Sequence, residues 1–166
     1  MLIFGSLLTT AKATGETCQT FEFNLRLRFE ETIVFTGASP CFALATLTAK
    51  GSAAHLGEVS VASQDCVNVK GAFDAGAPGS NSFVFTNHLG PVRITTATGD
   101  QLFMTYSGSL SARDDGPHRI RGHFVITGGT GRFAHAVGGG TLAGHEDTIQ
   151  VVFGRGVIVA TGSISY

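Results

Sequence analysis

Two carboxylates with strand-like neighbours are the first residues of this chain that could do chemistry. Glu58 lies between Gly57 and Val59, and Glu22 lies on the polar parity of a strand whose other parity is rich in Phe. A lone carboxylate that faces the inside of a barrel has a raised pKa, because burial disfavours its charged form, and it can then transfer protons. Glu58 and Glu22 are therefore the candidates for acid–base catalysis. The alternation leaves open which parity of each strand faces inward.

Metal and nucleophile chemistry have less support. The chain has six His, but none forms a His-x-His pair, the spacing that would place two ligands on one face of a strand. The triplet His145-Glu146-Asp147 is interpreted as a solvated turn at a strand start or bulge. Asp114-Asp115 lacks the regularly spaced oxygen ligands of a calcium loop, and no Gly-x-Ser-x-Gly elbow occurs. We predict no metal, no cofactor and no recognisable catalytic set.

A glycine-rich stretch at 125–133 follows an apolar run, as a dinucleotide-binding turn would. Such a turn needs a helix directly after its glycines and several βαβ units around it. Gly138-Gly139-Gly140 would end any helix early, and the remaining chain has strand-like alternation. The stretch is therefore not expected to bind a nucleotide.

The same stretch is better explained as a structural corner. Glycine adopts positive φ without strain, which permits a tight change of direction. Phe133 is expected to fold back and plug the end of the barrel, and Arg132 to contact carbonyl groups or a carboxylate at that rim. The predicted corner consists of Gly128, Gly129, Gly131, Arg132 and Phe133.

Alternation with a period of two residues extends over most of the chain. In residues 21–29 one parity is Phe or Leu and the other is charged or polar, which is typical of a strand with one buried face. Helix signals are almost absent, so eight or nine antiparallel strands predict an all-β single barrel over residues 16–166. A closed barrel has no exposed strand edges, and this sequence has few charges that could protect such edges from pairing with other chains. The candidate segments for these strands are 21–29, 32–36, 41–50, 56–67, 82–88, 91–98, 101–110, 118–127, 140–153 and 156–165.

Charge and hydropathy exclude two classes of partner. The net charge is -1 and only 14% of residues are charged, and no run of Lys or Arg could neutralise a line of phosphates, so no nucleic-acid partner is expected. No continuous apolar stretch reaches the roughly 18–20 residues of a membrane span. Residues 1–15 are interpreted as a leader peptide or an N-terminal arm, because an apolar patch precedes Ala11-Lys12-Ala13.

The three cysteines have no C-x-x-C spacing, which argues against zinc or thioredoxin chemistry. A hairpin that turns at Ala53-Ala54 would place Cys41 directly opposite Cys66, where a disulfide can close. Cys18 would stay free. This pairing predicts a secreted or periplasmic protein. The alternative is three buried thiols in a cytoplasmic protein.

The stretch Thr127-Gly128-Gly129-Thr130-Gly131-Arg132-Phe133-Ala134-His135-Ala136-Val137-Gly138 resembles the corner signature of allene oxide cyclase-like barrel proteins, and a looser form occurs in dirigent proteins. His55-Leu56-Gly57 and residues 98–102 are weaker matches to the same families. The resemblance implies a calycin-like, eight-stranded antiparallel barrel that works without cofactors and can form homo-oligomers. Characterised members bind apolar or phenolic intermediates and steer a cyclisation or coupling. It assigns no catalytic residue here.

Three functions follow as hypotheses. The first is a barrel that binds a small hydrophobic molecule, which the low charge and abundant Phe favour. The second is a cofactor-free isomerase or cyclase, which requires an open lumen with at least one buried Glu, Asp, His or Tyr. The third is a structural subunit of an extracellular assembly, with the apolar segment 2–8 adding to a neighbouring copy.

Overall fold

The chain folds into nine strands and no α-helix within the residues described. The computed structural model describes residues 19–37, 40–70, 82–87, 89–113, 116–150 and 152–166. The strands are β1 (Thr20–Phe35), β2 (Ala43–Ala53), β3 (Gly57–Lys70), β4 (Ser82–Thr86), β5 (Val92–Thr96), β6 (Gln101–Arg113), β7 (Gly116–Gly129), β8 (Val137–Gln150) and β9 (Phe153–Ser165), with a 3-10 turn at Gly131–Phe133 between β7 and β8.

The strands close into one antiparallel barrel. The first strand pairs with β2 on one side and with β9 on the other, and the pairing of β2 with β3 closes the sheet. The short strands β4 and β5 both pair with β3 and with β6, so together they fill one position of an eight-position barrel. This architecture confirms the predicted all-β barrel of eight or nine strands. Closure pairs the backbone groups that an open sheet would leave at its edges.

Alternating side chains fill the closed end of the barrel, which is the end that carries the 3-10 turn. Phe23, Leu25 and Leu27 of β1 are buried, whereas the residues between them are exposed. A buried side chain of this kind contributes about 1.5–3 kcal/mol relative to an exposed one, so this end carries much of the stability. The largest fully buried side chains at this end are Phe23, Phe124, Phe133, Leu25, Ile94, Leu102 and Ile164.

Two strands that the sequence predicts separately form one strand in the structure. Residues 21–29 and 32–36 were expected to be separate strands, but β1 continues through Glu30 and Glu31, each of which pairs with both β2 and β9. Glu30 faces solvent, whereas Glu31 lies on the inward-facing parity of β1 that Phe29 also occupies.

Cys41 and Cys66 form a disulfide, with their Cα atoms 5.1 Å apart. The pair was predicted correctly, but the predicted register was wrong. Leu44 lies opposite Cys66, because the hairpin closes at Ala53 and Gly57 rather than at Ala53-Ala54. Cys41 precedes β2, and the bend at residues 40–42 brings it back to β3.

The leader or arm at residues 1–15, the apolar segment 2–8, Cys18 and Asp114-Asp115 lie outside the described residues. Among the residues that are described, no helix is long and apolar enough to cross a membrane.

Candidate functional site

The end of the barrel away from the 3-10 turn contains a cavity of about 300 Å³. Its walls are mostly apolar, and the exposed rings of Phe35 and Phe42, 5.7 Å apart, lie at its rim. Gly108 leaves room for the ring of Phe85, because a Cβ at residue 108 would lie 2.6 Å from Phe85 Cζ. The apolar lining comprises Phe29, Ile33, Phe35, Phe42, Ala43, Leu47, Val67, Phe83, Phe85, Leu110, Ile120 and Ile158, and the polar lining comprises Glu31, Asp65, Tyr106, His118 and Glu146.

Glu31 and Glu146 form a carboxyl pair inside this cavity. Glu146 is 4% exposed, and the two side chains share a hydrogen bond across β9. Burial, the negative charge and hydrogen bond of Glu146, and the charge of Asp65 raise the pKa of Glu31 to about 8. Glu31 therefore holds a proton at neutral pH, since like charges this close disfavour ionisation of both groups.

Gly154 makes the carboxyl pair possible. It lies on β9, between the two strands that carry the acids. A Cβ at Gly154 would overlap Glu146 Oε1 and come within 3.2 Å of Glu31 Cγ. The absence of a side chain thus lets the two carboxyl groups meet over the backbone of β9.

A second cluster of polar side chains lies on the opposite wall of the cavity. Tyr106 Oη donates to Asp65 Oδ2 at 2.5 Å, and Ser63 Oγ donates to Asp65 Oδ1 at 2.5 Å. Burial raises the pKa of Asp65, and these two donated hydrogen bonds oppose the rise. Burial and the neighbouring Asp65 carboxylate raise the pKa of Tyr106 well above its ordinary value. Tyr106 therefore stays protonated and donates its hydrogen bond to Asp65.

Asn87 positions Tyr106. It is buried in the break between β4 and β5, where its Nδ2 donates to Gly90 O at 3.0 Å and to Met104 O at 3.2 Å. Its Oδ1 accepts from the Tyr106 backbone N–H at 2.6 Å. The side chain thus supplies strand-like hydrogen bonds where β4 has ended, and it fixes the backbone that carries the tyrosine.

The disulfide fixes the rim. Next to the Cys41–Cys66 bond, Asn68 Nδ2 donates to Pro40 O at 3.1 Å, and the Phe42 N–H donates to Asn68 Oδ1 at 2.9 Å. Residues 40–42 are therefore held against β3, which keeps the ring of Phe42 at the edge of the cavity.

Both predicted catalytic carboxylates, Glu22 and Glu58, lie on the outer surface and are exposed. Neither lines the lumen cavity. A larger depression of about 930 Å³ also lies on the outer surface, among exposed side chains such as Arg28 and Lys50. Its charged side chains are exposed, whereas the carboxyl groups of the lumen cavity are largely buried.

The predicted corner lies at the closed end. Gly128 and Gly131 have φ values of 130° and 55°, and Phe133 is fully buried with its ring 4.9 Å from that of Tyr166. Arg132 donates to His55 O at 3.3 Å and lies 3.7 Å from Asp100. Gly129 packs against Phe133, where a Cβ would lie 2.7 Å from the Phe133 Cβ. These residues shape the end opposite the cavity.

The polar residues that line the lumen cavity were not identified from the sequence. Glu31, Asp65, Tyr106 and Glu146 each lie on the parity of their strand that is otherwise apolar or small, and this is the signal that could have found them. The interpretation of His145-Glu146-Asp147 as a solvated turn was wrong. The triplet lies within β8, and its central carboxylate points into the barrel, because alternation sends only its two neighbours outward.

No group of three or more potential ligands able to hold a metal ion occurs among the residues that the structure describes. The chain matches no protein-family profile, no curated protein and no solved structure. The resemblance of residues 127–138 therefore stays a prediction.

Proposed function

We propose that the barrel binds a small, mainly apolar molecule in its lumen cavity. One observation carries the proposal: an apolar cavity of about 300 Å³ into which a few buried polar side chains converge. Binding sites for small molecules combine an apolar wall with a few polar groups that orient the ligand, and their volumes begin at about this size. The resemblance of residues 127–138 to barrels that bind apolar intermediates supports the same function, and the disulfide supports a secreted or periplasmic location.

The test uses the neutral fluorescent probe N-phenyl-1-naphthylamine. We expect saturable fluorescence enhancement with the full-length protein and loss of that enhancement in Leu110→Trp, which fills the cavity. Thr105→Trp is the matched control, because residue 105 lies on the exposed face of the same strand. Circular dichroism monitors folding of both variants. No saturable enhancement with the unmodified protein, or equal enhancement in Leu110→Trp, would contradict the proposal.

A second function, cofactor-free isomerisation, is favoured by the proton held between Glu31 and Glu146. A carboxylic acid that is still protonated at neutral pH can donate to a bound molecule, while a nearby carboxylate removes a proton from a different carbon. The molecule gains one proton and loses one, so its composition does not change and no cofactor is required. The Asp65–Tyr106 pair would bind a polar group of the same molecule.

Hydrogen exchange tests this second function without a known substrate. The ketone 2-tetralone in deuterated water exchanges its α-hydrogens, and we expect the protein to accelerate that exchange. Glu31→Gln should slow the catalysed exchange by about 100-fold, within the usual contribution of a general acid or base. Glu30→Gln, on the adjacent exposed position, should leave the rate unchanged. Exchange at the buffer rate with unmodified protein would exclude isomerisation and leave ligand binding intact.

A further inference from the structure

The lumen cavity has an excess of acidic groups, and this identifies a class of ligand. This assignment rests on the proposed binding function. Three carboxyl groups, those of Glu31, Asp65 and Glu146, line the cavity. Among its described lining residues none is Lys or Arg, and His118, directly opposite Glu146 across β7 and β8, is the one basic side chain.

The hydrogen bonds show where negative charge resides. Glu31 and Glu146 share one proton, so the pair carries a single negative charge. Asp65 accepts from two hydroxyl groups, those of Ser63 and Tyr106, and these hydrogen bonds favour its ionised form against the burial that raises its pKa. The carboxyl pair therefore gives the cavity negative charge, and none of the described residues that line it is Lys or Arg.

Aromatic rings surround these carboxylates. Phe85 and Tyr106 pack edge to face with centroids 5.8 Å apart, and Phe29 and Phe83 also line the cavity. The electron-rich faces of such rings attract cations, and the attraction is greatest in desolvated sites. The walls therefore suit a positive charge on an apolar molecule.

We infer that the lumen selects an organic cation, namely a small amine with an aromatic or aliphatic body. Its ammonium group would donate to the Glu31–Glu146 pair or to Asp65, and its body would contact the Phe side chains. Charge-assisted hydrogen bonds of this type are about twice as strong as neutral ones. A carboxylate ligand of the same shape would meet like charges.

Three ligands with one apolar body test the inference: 4-phenylbutylamine, 4-phenylbutanol and 4-phenylbutyrate. Each is titrated at neutral pH into the full-length protein loaded with N-phenyl-1-naphthylamine, and displacement of the probe gives its dissociation constant. We expect the amine to bind about tenfold or more tightly than the alcohol, and the carboxylate to bind most weakly. Glu146→Gln should reduce the preference for the amine to about threefold or less without weakening the alcohol. Glu58→Gln, at an exposed position, is the control.

Equal or tighter binding of the alcohol would overturn the inference and leave the proposed function standing. Failure of the neutral probe itself to bind would overturn both. Asp65→Asn is the second variant if Glu146→Gln does not fold. An amine preference that persists in every folded variant would overturn the assignment of selectivity to these carboxylates.

Discussion

Glu31 and Glu146 share a hydrogen bond between their carboxyl groups, although their strands are separated in the barrel by β9. The contact passes over Gly154, which has no side chain to block it. Two acids from non-neighbouring strands thus meet in the lumen because one residue of the intervening strand is glycine. The carboxyl pair, Asp65 and Tyr106 give the cavity its proton affinity and its charge.

Gly154→Ala is expected to displace the Glu146 carboxyl group, because the new methyl group would overlap it. Overpacking of this kind costs about 1–3 kcal/mol of unfolding free energy. Separation of the two carboxyls should also lower the pKa of Glu31. Denaturant unfolding and carbon-detected NMR titration of the Glu side chains measure the two effects. Gly116→Ala, where a Cβ meets no atom within 4 Å, should change neither.

Folding stability should decrease as pH rises from about 5 to 8. The pKa of Glu31 is raised from 4.5 to about 8, so in this window the folded state binds more protons than the unfolded state, and deprotonation favours unfolding. Asp65, whose pKa is also raised, contributes with the same sign. Glu146, Tyr106 and His118 are the other titratable groups that face this cavity.

Glu31→Gln isolates this effect, because the amide keeps a donor toward Glu146 but cannot ionise. Its unfolding free energy should depend less on pH between 5 and 8 than that of the unmodified protein. Each pKa unit corresponds to about 1.4 kcal/mol. Chemical denaturation at several pH values measures the slope, and Glu30→Gln should retain it. A slope in Glu31→Gln equal to that of the unmodified protein would contradict the raised pKa.

Removal of the disulfide should weaken both stability and binding. The bond joins residues 25 positions apart, and closing a loop of that size contributes about 3.5 kcal/mol through the unfolded chain. The double variant Cys41→Ser/Cys66→Ser should lose about that amount. It should also bind N-phenyl-1-naphthylamine more weakly, because the rim residue Phe42 is no longer fixed by the bond. Unchanged probe affinity in the folded variant would show that the rim does not contribute.

Asn87→Ala should destabilise the barrel by about 2–4 kcal/mol, because it leaves buried partners of three hydrogen bonds unsatisfied. Asn24→Ala, on the exposed face of β1, should change stability by about 0.5 kcal/mol or less. Thermal unfolding compares the two. A similar, small effect for both would mean that water replaces the lost side chain.

Phe133→Ala should lower the free energy of unfolding without weakening binding of the probe. Truncation of a fully buried Phe costs about 3–5 kcal/mol. The side chain lies at the closed end, so affinity for the neutral probe should be retained at temperatures where the variant is folded. Loss of affinity in the folded variant would show that the closed end shapes the cavity.

The sequence by itself determined the class of fold and much of the core. Alternation of Phe and Leu with polar residues in 21–29 requires one buried face, and few charges are present to protect open edges. The Cys41–Cys66 pair was also within reach, since it needs only two strands joined by a short turn. The register of the β2–β3 hairpin was not predicted, because the centre of the hairpin depends on His55 and Gly57, which both adopt positive φ in the turn.

The tertiary structure alone decided the site. Glu31 was missed because the strands predicted at 21–29 and 32–36 leave out residues 30 and 31, and the continuous pairing of β1 shows that Glu31 keeps the inward parity of Phe29. Tyr106 and Asp65 meet although they are 41 residues apart. Each sits on a different strand, and no local pattern relates one strand's inward parity to another's. Barrel closure sets that relationship, because it buries one face of every strand around a single lumen.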